Sequence, residues 1–235
     1  MHLSNYLEST YLKTSIEAGI SEEDNRVIVS NMVNEAIDYN FKLIMIRPEY
    51  ISCVKEIILK RNSALLVGTV VDFPLGNKMS SCKIKEAKKA ISLAVDELDF
   101  VANYNLFKRG SIDVFDNEIK EGIGIAFKYN KIIKWIIETG ALSTKEIFNI
   151  SKRISLIVND YYLSYASNVF IKTCTGYYGG HGAQVKDIKI IKSAIKDLRI
   201  KASGGIKTRK QCQELIKAGA DRIGTSKAMH IYNQK

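Results

Sequence analysis

Two lysines lie at the ends of two short apolar segments, where a charged side chain is unusual. Lys172 ends the segment 169–172, Lys201 ends the segment 198–201, and a glycine-containing turn follows each of them. Lysine is among the residues least often buried, so the ordinary interpretation of each is a strand end whose ammonium group reaches water. Two of them before two such turns favour another interpretation, in which one amine forms a Schiff base and the other supplies the charge that activates it.

An amine pair of this kind would permit carbon–carbon bond chemistry. The ordinary lysine pKa of about 10.4 leaves little neutral amine at pH 7, and a second cation with partial desolvation lowers that pKa. A neutral amine attacks an aldehyde to form an iminium, which is an electron sink for an adjacent bond. Asp99 lies opposite Leu98 and Phe100 on its strand. It is either a structural ion-pair partner of a lysine or a proton relay, and the two roles are compatible.

Further polar residues are expected around this centre. Lys134 and Glu138 are four residues apart on another strand, which places them on one face, and Thr139 follows directly. We expect this group to support the same polar cluster. Cys174 shares the face of Lys172 and is expected to line the site as a small side chain.

Glycine-rich turns after the last two strands predict a phosphate site. Backbone N–H groups approach an anion closely where no side chain intervenes, and helix N-termini favour negative charge. Barrel enzymes often bind phosphate with the loops after strands 7 and 8, and the turn after Lys172 could add a third arm. The candidate phosphate-binding residues are Gly176, Gly204, Gly205, Gly224, Thr225 and Ser226.

Short β-branched segments alternate along the chain with amphipathic segments, two of which begin with capping signals at Ser21 and Ser143. Strands separated by helices pair in parallel through right-handed crossovers, and eight of them close into a barrel. A doubly wound open sheet is the alternative, but no G-x-G-x-x-G follows the first strand. We expect a (β/α)8 TIM barrel of the α/β class, with residues 1–235 as a single domain. The predicted strands are 5–9, 41–46, 64–71, 97–102, 132–137, 168–173, 198–202 and 221–224.

The composition limits the classes of function. The net charge of +10 comes from lysines and arginines spread over most of the chain, so we expect no nucleic-acid partner; the positive field would attract a small phosphorylated substrate. No run of 18 apolar residues and no signal-peptide pattern is present, so we expect no membrane association. The four cysteines and three histidines show no metal-ligand spacing. We therefore expect a cytoplasmic protein without metal or cofactor.

Six segments resemble those of deoxyribose-phosphate aldolases, in the order of that family and over nearly the whole chain. They are residues 67–76, 97–101, 134–139, 170–176, 201–208 and 222–226. The resemblance implies a metal-free class I aldolase on a (β/α)8 barrel, often dimeric, in which Lys172 forms the Schiff base, Lys201 activates it and Asp99 relays the proton. It also implies reversible cleavage of 2-deoxy-D-ribose 5-phosphate to acetaldehyde and D-glyceraldehyde 3-phosphate, with the glycine and Ser/Thr turns holding the 5-phosphate.

Three departures from the family pattern fall near the expected barrel mouth. Glu8-Ser9-Thr10 stands where family members usually have Asp-His-Thr, and Arg47 precedes Pro48 where a small or polar residue is usual. Residues 177–181 read Tyr-Tyr-Gly-Gly-His instead of Phe-Gly-Pro-Gly-Gly. Arg47 could be a new anion contact or could fill part of the pocket.

Two other functions remain open from the sequence. A lysine aldolase of the same fold could act on another donor or another phosphorylated sugar, which a substrate panel with borohydride trapping would reveal. A non-catalytic basic binding protein could retain only the barrel, and it would bind RNA or DNA in a salt-sensitive way without forming an imine.

Overall fold

The structure, a computed structural model, describes residues 2–234. Eight parallel strands close in chain order into a barrel, in which the first strand pairs with both the second and the last. The predicted (β/α)8 barrel is confirmed, and the strand ends differ from the predicted ends by no more than two residues. The strands are β1 (Leu7–Tyr11), β2 (Leu43–Ile46), β3 (Leu66–Val71), β4 (Glu97–Val101), β5 (Ile132–Ile136), β6 (Val169–Lys172), β7 (Arg199–Ser203) and β8 (Arg222–Thr225).

Helices connect the strands, and local capping explains where several of them begin. The Ser21 side chain accepts a hydrogen bond from the Asp24 backbone at one helix start, and Ser143 forms a capping box with Glu146 at another. Both capping residues are those expected from the sequence. The helices are α1 (Ser15–Ala18), α2 (Glu22–Asp38), α3 (Ile51–Lys60), α4 (Ser80–Ser92), α5 (Tyr104–Lys108), α6 (Ile112–Lys128), α7 (Thr144–Tyr161), α8 (Val185–Ala194), α9 (Arg209–Ala218) and α10 (Ala228–Asn233).

Side-chain alternation along the strands separates an outer core from the barrel interior. Ile44, Trp135 and Ile171 belong to the main hydrophobic core together with buried residues of the helices. Alternate residues point into the barrel, so neighbouring strands there present Lys172 beside Lys201 and Asp99 beside Lys134 in the same register. The register of the sheet therefore brings the predicted catalytic residues together.

The barrel interior is divided into an apolar and a charged half. The apolar half is a small separate core on the side of β2 and β3, made of Leu12, Leu43, Met45 and Val70 with Leu66 and Phe73 packed against it. The charged half lies on β1 and β4–β8, and it consists of Glu8, Glu97, Asp99, Lys134, Lys172, Lys201 and Arg222.

Between residues 2 and 234, every helix is too short or too polar to cross a membrane.

Candidate active site

Asp99 is the centre of the charged half and joins the three buried lysines. Lys134 Nζ donates a hydrogen bond to Asp99 Oδ1 at 2.8 Å, and Lys172 Nζ and Lys201 Nζ each donate to Oδ2 at 2.8 Å. Burial alone would raise the pKa of Asp99, but the three lysines together lower it well below its usual range. Asp99 is therefore an ionised carboxylate shared by three amines.

The three lysines differ in how many carboxylates surround them. Lys134 lies 2.8 Å from Asp99, 2.5 Å from Glu97 and 3.8 Å from Glu8. Lys201 contacts Asp99 and Glu8. Over residues 2–234, Lys172 is paired only with Asp99, which it shares with the other two lysines. Lys172 is thus the least compensated cation of the cluster.

This difference in pairing makes Lys172 the candidate nucleophile. Burial lowers the pKa of Lys172 to about 8; Asp99 opposes the change, and Lys201 and Lys134 add to it. For Lys134, burial also disfavours the charge, but Asp99, Glu8 and Glu97 outweigh it and raise the pKa. Lys134 consequently stays an ammonium ion, whereas Lys172 has a neutral form available near neutral pH for attack on a carbonyl carbon. Burial contributes more to the lowered pKa of Lys172 than the neighbouring Lys201 does, which refines the expectation from the sequence.

A cavity of ≈ 790 Å³ opens above these amines at the carboxyl ends of the strands. Lys172 and Lys201 line it, while Asp99 and Lys134 lie below and do not. All six candidate phosphate-binding residues, Gly176, Gly204, Gly205, Gly224, Thr225 and Ser226, line the same cavity. The side chains of Lys172 and Lys201 and the glycine turns therefore face the same cavity, as expected for a barrel whose active site lies at this end.

The turn after β7 presents backbone to the cavity because two glycines adopt left-handed conformations. Gly204 has φ of 95° and Gly205 has φ of 67°, values that side chains rarely permit. A Cβ atom on Gly182, in the loop after β6, would lie only 2.6 Å from the Gly204 carbonyl oxygen, so the two loops meet backbone to backbone. Downstream, Gln211 Oε1 accepts hydrogen bonds from the N–H groups of Lys207 and Thr208.

Gly224, unlike the other glycines of the site, leaves space for a neighbouring side chain. A Cβ atom at this position would lie 2.9 Å from Lys201 Cε and 3.6 Å from Lys201 Nζ. The absent side chain therefore makes room for the Lys201 chain next to β8. Thr225 joins the end of β8 to the turn after β7, since its hydroxyl donates to the Ile206 carbonyl oxygen at 2.7 Å.

The predicted supporting residues are only partly brought together. Lys134 joins the Asp99 cluster, but the grouping of Glu138 with it was wrong. Glu138 has φ of 56°, and its Oε2 atom accepts hydrogen bonds from the backbone N–H and hydroxyl of Thr175 at 3.0 and 2.5 Å. Thr139 Oγ1 and Cys174 Sγ are 3.2 Å apart, and burial raises the pKa of Cys174 to about 11. Glu138, Thr139 and Cys174 are not among the residues that line the cavity; Glu138 holds the loop after β6.

Several residues of the site had not been identified from the sequence. Ser203 lines the cavity and donates a hydrogen bond to the Cys174 carbonyl oxygen at 2.6 Å, and Lys207 and Lys227 add positive charge to its wall. Each of the two lysines follows a predicted phosphate turn by two residues or fewer, so a search for cations beside those turns could have found them. Ser203 follows Lys201 on the same inner face, which alternation would have indicated.

The departures from the family pattern have defined positions. Glu8 lies inside the charged half and forms an ion pair with Lys201, while Ser9 faces the opposite side of β1. Arg47 Nε donates to the Leu12 carbonyl oxygen at 2.7 Å, and its guanidinium lies 5.6 Å from the centre of the Phe73 ring. Arg47 is therefore tied into the loop after β1 and is not a wall of the cavity.

Residues 177–181, the third departure, pack around the rim of the barrel. The Tyr177 hydroxyl donates to the Leu12 carbonyl oxygen at 3.0 Å, and its ring meets Phe73 edge-on at 5.0 Å between centroids. His181 packs against Gly140, where a Cβ atom would lie 2.5 Å from the His181 side chain. The altered loop is thus fixed to the loops after β1, β3 and β5, and it contributes Tyr177 to the cavity wall.

Comparison with known proteins agrees with this geometry, although no family model matches the chain. The chain is 39% identical over 234 residues to the deoxyribose-phosphate aldolase of Mycoplasmoides pirum, covering 98% of this chain and 97% of the relative. It is 36% identical over 234 residues to that of Caldicellulosiruptor saccharolyticus, covering 99% of this chain and 97% of the relative.

Solved structures point the same way. The tetrameric deoxyribose phosphate aldolase from Aeropyrum pernix superposes with a TM-score of 0.80 at 27% identity, covering 98% of this chain and 89% of that one. An aldolase named QR15 gives a TM-score of 0.82 at 28% identity, with 98% and 94% covered. Relatives above 30% identity over essentially the full length, on the same barrel, establish the family that the sequence motifs resemble. The chain belongs to the deoxyribose-phosphate aldolase family.

Proposed function

We propose that this class I aldolase uses Lys172 as its Schiff-base nucleophile in the reversible cleavage of 2-deoxy-D-ribose 5-phosphate to acetaldehyde and D-glyceraldehyde 3-phosphate. One observation carries the assignment of Lys172. It lines the cavity and has only one, shared carboxylate partner among residues 2–234, whereas Lys201 has two. Burial and this weak pairing leave Lys172 with a pKa lowered to about 8, so its neutral form is available for attack.

The reaction follows from the positions of the amines. Neutral Lys172 attacks C1 of the open-chain sugar, and loss of water gives the iminium. The C3 hydroxyl gives up its proton, the C2–C3 bond breaks, and its electron pair forms an enamine on Lys172 while C3 leaves as the aldehyde of glyceraldehyde 3-phosphate. Protonation of the enamine carbon and hydrolysis of the iminium then release acetaldehyde and regenerate the amine.

Lys201 and Asp99 have different roles in the proton transfers. Lys201 lines the cavity and can exchange a proton with substrate or water there, while Asp99 is fully buried beneath it. Asp99 accepts hydrogen bonds from both amines, so it holds them in place and links their protonation states. Asp99 stays ionised and therefore acts through the two lysines that it positions, rather than by contact with substrate.

We place the 5-phosphate at the glycine turns after β7 and β8, next to Ser226. The support is the left-handed backbone of Gly204 and Gly205 at the cavity wall, together with the nearby positive charges of Lys207 and Lys227. Exposed backbone N–H groups and lysine ammonium groups are common phosphate partners. Gly176 faces the same cavity from the loop after β6.

Borohydride trapping tests the nucleophile directly. The enzyme is treated with acetaldehyde and borohydride, digested, and mapped by mass spectrometry; an N-ethyl group is expected on Lys172. Lys172→Arg, which keeps the charge but cannot form an imine, is the matched control and should remain unmodified at that position. An ethyl group mapped to Lys201 in the unaltered protein would reverse the assignment.

We further propose that the chain forms a homodimer, as the family resemblance implies, and that it is located in the cytoplasm. The four cysteines are free, which suits a reducing compartment. The relative from Aeropyrum pernix is tetrameric, so the oligomeric state has to be measured for this chain itself. Light scattering on the purified protein should give twice the mass of the chain, and any other mass would refute the dimer.

A further inference from the structure

A second layer of charged residues lies one step below the catalytic amines inside the barrel. Glu97 precedes Asp99 by two residues on β4, and Arg222 precedes Gly224 by two residues on β8, so both point inward. Arg222 lies 3.9 Å from Glu8 and 3.8 Å from Glu97. Neither Glu97 nor Arg222 lines the cavity, so the proposed reaction does not use them.

This layer is continuous with the catalytic amines through two of the lysines. Glu97 contacts Lys134 at 2.5 Å, and Glu8 forms ion pairs with Lys134 and Lys201. Both lysines contact Asp99, which in turn contacts Lys172. A chain of direct contacts therefore joins the lower layer to Lys172, and each charge in that layer lies close enough to act on it.

The charged half is almost completely buried, and among its members only Lys172 and Lys201 reach the cavity. The side chains of Glu8, Glu97 and the three lysines are at most 3% exposed, and that of Arg222 is 8% exposed. Charges interact more strongly in such an environment than at the surface, so a net imbalance is costly.

No other described charge balances the cluster from a neighbouring element. The inner faces of β2 and β3 carry the apolar half. Glu138, in the loop after β5, is bonded to Thr175. Arg199, at the start of β7, lies 5.8 Å from the centre of the Phe170 ring, as Arg222 does, but its side chain is exposed and its charge is screened by water.

Within this enclosure the charges cancel without Lys172. The three carboxylates Glu8, Glu97 and Asp99 are matched by three cations, Lys134, Lys201 and Arg222. A proton on Lys172 adds a fourth cation with no carboxylate of its own. The neutral form of Lys172 is thus the one that makes the buried cluster electrically neutral.

We propose that Glu8, Glu97 and Arg222 are positioning residues that set the net charge of the buried cluster to zero when Lys172 is neutral, and that this charge balance fixes how readily Lys172 gives up its proton. The inference rests on the proposed role of Lys172 as nucleophile. It assigns Arg222 and Glu97 opposite effects: Arg222 favours the neutral amine, and Glu97 favours the ammonium ion.

Two charge-removing variants test the proposal because their expected effects have opposite signs. Glu97→Gln removes a negative charge and should shift the titration of Lys172 to lower pH. Arg222→Gln removes a positive charge and should shift it to higher pH. One charge at about 10 Å, in a medium of effective dielectric constant about 20, changes a pKa by about one unit, so each shift should be about one pH unit.

The readout is the titration of Lys172 itself. Brief labelling with acetic anhydride across a pH series, followed by mass spectrometry, measures how much Lys172 is neutral at each pH without requiring any catalysis. The acid limb of kcat/KM for deoxyribose 5-phosphate should move in the same direction as the labelling curve. If borohydride trapping fails at Lys172, the proposed function fails, whereas the labelling result still decides the charge balance.

Two further variants separate charge from packing. The double variant Glu97→Gln with Arg222→Gln removes one charge of each sign and should return the titration to that of the unaltered enzyme. Arg222→Lys keeps the charge and should leave the titration in place. Shifts in the same direction for both single variants, or none in either, would overturn the proposal; should Arg222→Gln not fold, an unshifted Glu97→Gln is sufficient to overturn it.

Discussion

Replacing Lys201 with leucine should move the pH dependence of this aldolase to higher pH. Lys172 Nζ and Lys201 Nζ are each 2.8 Å from Asp99 Oδ2, so they are at most about 5.6 Å apart. At an effective dielectric constant of about 20, two unit charges at that distance repel each other by about 3 kcal/mol, which corresponds to about two pKa units. Loss of the neighbouring ammonium group favours a proton on Lys172, and Asp99 then has one cation fewer to share.

The consequence for activity follows from the fraction of neutral amine. The pKa of Lys172 is lowered to about 8 in the intact site, and the substitution should raise it to about 10. The neutral fraction at pH 7 should then fall about 100-fold. In the assay, kcat/KM for deoxyribose 5-phosphate is measured from pH 5 to pH 10, and the acid limb should move upward by about two pH units.

A matched variant and a second measurement make the test decisive. Lys201→Arg keeps the positive charge and should leave the acid limb near its original position even if kcat falls through altered geometry. Circular dichroism establishes that each variant is folded. An acid limb that stays in place in Lys201→Leu would refute the electrostatic role of Lys201, whatever happens to the rate.

Two further predictions concern the cavity, and a third concerns metal dependence. Gly205→Glu puts a negative charge beside the proposed phosphate and should raise KM for the phosphorylated sugar about 100-fold; an equal rise for unphosphorylated deoxyribose would contradict that site. Gly224→Ala brings a Cβ atom to 2.9 Å from Lys201 Cε and should lower kcat about 100-fold in a folded protein by displacing that amine; an unchanged kcat would refute this. Activity should persist in chelator, and a loss restored by zinc would show a different aldolase class.

The positions of the two candidate amines, Lys172 and Lys201, could be predicted from the sequence because their signal is local. A lysine near the end of an apolar strand, shortly before a glycine, places the strand end to within two residues and indicates the inward direction of the side chain. The same alternation also predicts that Glu97, two residues before Asp99, and Arg222, two residues before Gly224, point into the barrel. Their role requires the pairing of strands that are far apart in the chain, which a single sequence does not contain.

The direction of the Glu138 side chain could not be predicted from local sequence. Its spacing from Lys134 predicts a shared face only if the strand continues to residue 138, but β5 ends at Ile136. Glu138 then adopts a left-handed backbone with φ of 56°, a conformation uncommon for residues other than glycine. Contacts with Thr175 hold the side chain in that direction, and these contacts come from the loop after the next strand.

The ion pairs of Glu8 also bear on how the barrel holds together as it unfolds. Glu8 lies on the first strand, and its partners Lys201 and Arg222 lie on the last two. A state in which β1 has separated from the barrel would leave two buried cations without one of their counter-ions, at a free-energy cost of several kcal/mol. The N-terminal strand is therefore expected to separate only when the whole barrel opens, and its backbone amides should exchange with solvent deuterium as slowly as those of the other seven strands.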